Sequence, residues 1–157
     1  MKEKTILNRR QQIDRNASIQ ALELLKKLKL PKILDKLDYE VIFSQEKSLY
    51  INNVDIIVAP EIIIRATYNG SIVYGAVKIH ISKGKPFNLN QSTYVATTIY
   101  SFLSKKVAKK NEKVLPEICL CLDVFAERLT PAPANISSEL SQIRAICGEI
   151  KELWTLT

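Results

Sequence analysis

Glu61 and Lys78 are the acid and the amine of this chain best placed to act together. Between them lies Asn69-Gly70, the dipeptide that favours a two-residue type I′ turn, because both central positions need positive φ. A two-residue loop fixes the register of a hairpin. With Tyr68 opposite Ser71, Arg65 faces Tyr74, Ile63 faces Ala76, Glu61 faces Lys78 and Ala59 faces His80. Strand alternation puts all of these on one face, where chemistry could sit. One reading of the Glu61–Lys78 pair is an ordinary cross-strand salt bridge, worth roughly a few tenths of a kcal/mol. The other is a reactive centre. His80, two residues beyond Lys78, opens a metal or acid/base role beside the plainer expectation of a half-buried or surface histidine.

Several elements must position this pair. The hairpin is expected to span about 54–82. Its second face carries Val58, Pro60, Ile62 and Ile64 against Ile81, Ile79, Val77 and Gly75, and this apolar face is the expected main core face. Pro60 cannot donate to a ladder, so a bulge there would shift the far end by one residue. Upstream, Asp14 to Leu30 has helical periodicity in Ile19, Leu22, Leu25 and Leu28, widened by Ala21 and Leu24, and Pro31 stops it. Tyr39–Phe43 and Leu49–Asn52 read as short strands around a charged turn. Downstream, Asn90 to Lys110 is helical, with Val95, Ile99, Phe102 and Leu103 on one side. The apolar run Ile118–Val124 suits a strand buried on both faces. Pro131 and Pro133 mark a loop. A final helix from Ile136 or Ser137 carries Leu140, Ile143, Ile146, Cys147, Ile150 and Trp154, the last expected in the core. The expectation is one α/β (α+β) domain over 1–157, a mixed sheet flanked by helices in the order αβββαβα. Residues 1–13 form a basic N-terminal arm and 14–157 the α/β core.

Pro60-Glu61 on one strand and Ala76-Val77-Lys78 on the next, in this order of elements, resemble the PD-(D/E)XK nuclease superfamily over roughly residues 14–125. The resemblance implies a restriction-endonuclease-like core and metal-dependent hydrolysis of DNA, with Mg²⁺ or Mn²⁺ as cofactor. It implies a metal ligand at Glu61, the backbone carbonyl of Val77 as a second, and Lys78 stabilising the attacking hydroxide or the developing phosphorane charge. Gln91 on the following helix, with Tyr94, is similar to a further helix motif of some members, at a spacing of three rather than four. The departure is Ala76, where the family usually places its second acid. Glu40 on the first strand or Glu23 on the first helix could replace it. Asp55 lies about 20 Å from Glu61 along an extended strand, too far to share one ion. A degenerate fold that binds nucleic acid or protein without catalysis follows equally from Ala76. An unrelated α/β domain with a structural Glu–Lys pair is the third reading.

The chain has 157 residues, 46% of them hydrophobic, enough for a packed core. Its formal net charge of +7 favours polyanionic partners, DNA or another nucleic acid above all. Lys105, Lys106, Lys109 and Lys110, with Lys113, recur as on one helical face and could neutralise phosphates, or be a solvated face. Lys26, Lys27, Lys29, Lys32 and Lys36 form a second cluster. Only 4 glycines are present, and no phosphate-cradling loop. Three cysteines, Cys119, Cys121 and Cys147, with a single histidine fit buried thiols better than a disulfide framework or a zinc site. Asp123 and Glu127 follow the apolar strand, where solvent exposure is the expectation. No segment suits a signal peptide or a membrane span, so a cytoplasmic protein is expected, as a homo-oligomer or beside a larger protein partner.

Overall fold

The computed structural model describes residues 8–156. Helix α1 runs Arg9–Lys27, five residues ahead of the expected start, so the described part of the basic arm is mostly helical. The cause is a capping box: the Asn8 side chain accepts the Gln11 N–H and Gln11 accepts the Asn8 N–H, each at 2.9 Å. A 3₁₀ turn follows at Lys32–Lys36, after Pro31. Strand β1 is Asp38–Ile42. Strands β2 (Ser48–Ile51) and β3 (Val54–Ile57) pair only with each other, as a separate two-stranded ribbon. Strands β4 (Ile62–Tyr68) and β5 (Ser71–His80) make the central hairpin. Helix α2 (Leu89–Phe102) ends in a π turn at Leu103–Val107. Strands β6 (Lys113–Asp123) and β7 (Arg128–Pro131) and helix α3 (Ser137–Thr155) complete the fold. Its class is α+β, with a mixed five-stranded sheet in the order β1-β4-β5-β6-β7. All neighbours are antiparallel except β5 and β6, which α2 connects in parallel.

The expected hairpin is thus shorter than 54–82. Asn52 and Asn53 both adopt positive φ, 47° and 65°, and make a second tight turn. That turn pairs Val54–Ile57 back onto β2, and Val58, Ala59 and Pro60 link the ribbon to β4. Within β4–β5 the register is the one the Asn69-Gly70 turn dictates, from Tyr68 opposite Ser71 to Ile62 opposite Val77. β7 occupies part of the region read as a proline loop.

The main core lies on the face opposite to the one expected. Ile63, Tyr74, Ala76, Cys119 and Cys121 face α2, α3 and the ribbon, where Leu49, Ile99, Phe102 and Ile143 close the largest buried cluster. On the other face, Ile64, Val73 and Ile118 meet Leu37 beside the 3₁₀ turn, while Leu122 and Val124 meet Ala21 of α1. Hydrophobicity did not separate the faces, because both are covered and β6 is buried on both sides. On α1 Ala21 is buried, with Leu24, Leu25 and the C-cap Leu28 partly buried beside it, while Ile19 and Leu22 are exposed. On α3, Ile146 and Trp154 are exposed, so Trp154 is not a core residue.

Gly75 permits the β5–β6 pairing. A Cβ there would lie 2.5 Å from Ile118 Cγ1 and 2.6 Å from the Ile118 carbonyl oxygen. The register slips at this point, from Tyr74 opposite Val114 to Ala76 opposite Cys119, which then sets Lys78 beside Cys121 and His80 beside Asp123.

Candidate functional site

Glu61 precedes β4 rather than lying in it, and its N–H donates to the Val77 carbonyl at 3.0 Å. Each oxygen of its carboxylate accepts one bond from β5. Oε1 accepts from Lys78 Nζ at 2.6 Å and Oε2 accepts the Ile79 N–H. Lys78 Nζ also donates to the Ala59 carbonyl at 3.1 Å. The two side chains fasten the Ala59–Glu61 link to β5, in a half-exposed position. Sequence register and structure agree that these two residues are neighbours.

The other residues expected near them are placed differently. Ala76 is fully buried opposite Ile63 and offers no ligand. Val77's carbonyl accepts the Glu61 N–H. Glu40 pairs with Arg65 at 3.0 Å, directly opposite it on β4. Four residues of strand separate Arg65 from Glu61, about 13 Å, so Glu40 and Glu61 do not share a site. Asp55 stands opposite Tyr50 in the ribbon. Glu23 belongs to α1, the helix that covers the Val77 and Ile79 face, away from Lys78. Gln91 closes a capping box with Asn88 at the start of α2, and Tyr94 donates its hydroxyl proton to Gln142 of α3. Among the described residues, no three His, Cys, Asp or Glu side chains converge as metal ligands. A divalent ion needs several oxygen donors. This set supplies one carboxylate already bound on both oxygens, so it does not fit the metal that the resemblance implies.

A second cluster escaped sequence reading. Asp123 is fully buried rather than solvent-exposed. Its carboxylate accepts the Phe87 N–H at 2.5 Å and the Ala126 N–H at 3.0 Å. Arg128, opposite Asp123 across the β6–β7 hairpin, donates to the Phe87 carbonyl. His80 stacks on the Phe87 ring, centroids 3.7 Å apart, and its Nε2 donates to the Lys85 carbonyl at 2.9 Å. His80 is therefore a half-buried structural residue, and the cluster holds the β5–α2 loop. In the sequence Asp123 is only an acid closing an apolar strand; its burial, and with it the need for partners, comes with the fold.

The cysteines are free and buried. Burial pushes the Cys121 thiol up to about 11 and raises Cys119 and Cys147 as well, so all three are protonated thiols.

Charge is unevenly spread. Between Arg9 and Lys36, eight exposed cations (Arg9, Arg10, Arg15, Lys26, Lys27, Lys29, Lys32, Lys36) meet three acids (Asp14, Glu23, Asp35). Most of the net charge therefore sits on α1 and the 3₁₀ turn. Lys105 and Lys106 fall in the π turn and Lys109 and Lys110 in the loop after it, so they are exposed but not on one helical face. Glu112 lies among them. It accepts the Tyr74 hydroxyl at 2.9 Å and the Lys109 N–H at 2.8 Å. The Lys109 backbone bond, opposed by desolvation and aided by Tyr74, holds its carboxyl below the ordinary carboxylate range.

Among the described residues, no helix is long and apolar enough to cross a membrane. Comparison with protein-family models, with curated proteins and with solved structures finds no match.

Proposed function

We propose that this chain is a nuclease-like α/β domain whose hydrolytic centre is degenerate, and that it holds nucleic acid along the basic segment of α1 and the 3₁₀ turn. The observation that carries the reading is the state of Glu61: both carboxylate oxygens are taken by Lys78 and the Ile79 N–H, and the buried Ala76 stands where a second acid would be. The nuclease-like part is supported by the order of elements. With the ribbon set aside as an insertion, α1, β1, β4, β5, α2 and β6 follow the helix, three antiparallel strands, helix and parallel strand of the family it resembles. The binding part is supported by charge, since eight cations against three acids on one exposed segment suit a phosphate backbone.

The test is titration of a DNA duplex at increasing salt, with a parallel cleavage assay in Mg²⁺ and Mn²⁺. Binding is expected to weaken steeply with salt, the log–log slope falling by about 0.9 for each phosphate contact removed. Lys26→Gln, Lys27→Gln and Lys29→Gln together should lower affinity more than Lys105→Gln, Lys109→Gln and Lys110→Gln together. No salt-sensitive binding at low ionic strength refutes the binding reading. Cleavage that Lys78→Ala abolishes refutes the degenerate centre and restores an active metal-dependent nuclease.

A further inference from the structure

We infer that this chain pairs with a second copy of itself along β1, antiparallel about a two-fold axis at Val41, so that the two sheets become one. This goes beyond the nucleic-acid reading and does not depend on it. β1 is an edge of the five-stranded sheet. Its backbone groups on the side away from β4 have no partner among the described residues. Such an edge recruits a further strand unless it is very short, twisted away or guarded by basic residues or proline. The opposite edge is guarded: β7 has only four residues, begins at Arg128 and ends at Pro131. β1 holds no lysine, arginine or proline, and the acid at its centre, Glu40, is neutralised by Arg65. Tyr39 and Val41, opposite Ala66 and Ile64 on one face, are 51% and 56% exposed. Phe43, next in the alternation, is 95% exposed.

Charge selects both the partner and the register. Opposed residues in an antiparallel pair share a face, so a two-fold axis passes through a residue that opposes its own copy. An axis at Asp38 or Glu40 sets like acids against each other. At Tyr39 it sets Asp38 against Glu40, at Ile42 Asp38 against Glu46, and at Phe43 Glu40 against Glu46. Like charges directly opposed are destabilising. An axis at Val41 avoids all of these. It opposes Tyr39 to Phe43 and Val41 to its own copy. Beyond the strand ends it brings Lys36 towards Glu46 and Asp35 towards Lys47. All four are exposed, and none has an ion pair among the described residues. A second copy carries the matching charge at both flanks by symmetry, which makes it the occupant.

Sedimentation equilibrium of the full chain at low salt tests this. So short an edge makes a weak interface, and a concentration-dependent dimer is expected within about 1–500 μM. Phe43→Glu should weaken it about 100-fold, because symmetry counts each lost apolar contact twice. Lys36→Glu and Glu46→Lys should each weaken it about tenfold alone, while an equimolar mixture of the two should restore association, since every Lys36–Glu46 pair then has opposite signs. Under mild oxidation Val41→Cys should cross-link to its own copy, because opposed Cα atoms lie about 4.5–5.5 Å apart, within disulfide reach. Tyr39→Cys should cross-link only when mixed with Phe43→Cys. The native cysteines are buried and do not compete. Unchanged urea transitions show that the variants are folded. A monomer throughout that concentration range overturns the inference, as does a dimer that Val41→Cys does not cross-link or that Tyr39→Cys cross-links alone. A mixture of the two charge variants no more associated than either by itself also overturns it.

Discussion

Replacing Glu61 tests whether the Glu61–Lys78 pair holds the fold or is held by it. The contact is short, 2.6 Å, but the side chains are 40% and 38% exposed, so water and salt screen it. An ion pair in that setting contributes about 0.2–1 kcal/mol. Glu61→Ala also deprives the Ile79 N–H of its acceptor, costing about 1 kcal/mol where water can partly replace it. The total is about 1–2 kcal/mol, or about 3–7 °C in melting temperature for a chain of this size. Lys78→Met loses the pair and the Ala59 bond, about 1 kcal/mol. Urea denaturation of wild type, both single variants and the double variant gives a coupling energy of about 1 kcal/mol or less, reduced in high salt. A gain in stability of about 1 kcal/mol or more from either single variant refutes the reasoning. It shows a pair retained at a stability cost, as at working active sites.

Two further outcomes follow from the geometry. Gly75→Ala should cost about 2–3 kcal/mol in urea denaturation, because the new methyl group meets both the side chain and the carbonyl of Ile118. Gly84→Ala, with open space around it, should stay within about 0.5 kcal/mol, and in an Ile118→Ala background, itself destabilised by about 2–5 kcal/mol, the added cost of Gly75→Ala should fall only in part, since the carbonyl remains. Glu112 has a depressed carboxyl in the folded state, so its stabilisation is fully present above its unfolded value near 4.5 and is lost as pH falls through the lower folded value. Glu112→Gln should therefore flatten the fall in melting temperature on acidification below pH 4.5.

The features legible before folding are those written in local chemistry. Asn69-Gly70 can turn in only a few ways, and its register carried Arg65, Ile63 and, just past the ladder's end, Glu61 to their partners. The apolar run in β6 and the stripe around Ile143 and Cys147 were legible because burial leaves a period in the residues. Asn52-Asn53 was equally local, yet its signal was missed, and with it the ribbon that shortens the hairpin.

The assembled fold sets which sheet face is the main core, because helices cover both faces and both are apolar. Only it decided that Asp123 is interior: a lone acid at a strand end is indistinguishable from a solvated one until Phe87, Ala126 and Arg128 surround it. The same holds for the candidate site. Sequence placed Glu61 beside Lys78, while the bond from the Ile79 N–H to its second oxygen and the 13 Å or so that separate it from Glu40 are set by the folded sheet. Side-chain periodicity records which residues are buried together, and it carries no record of which polar groups they bring with them.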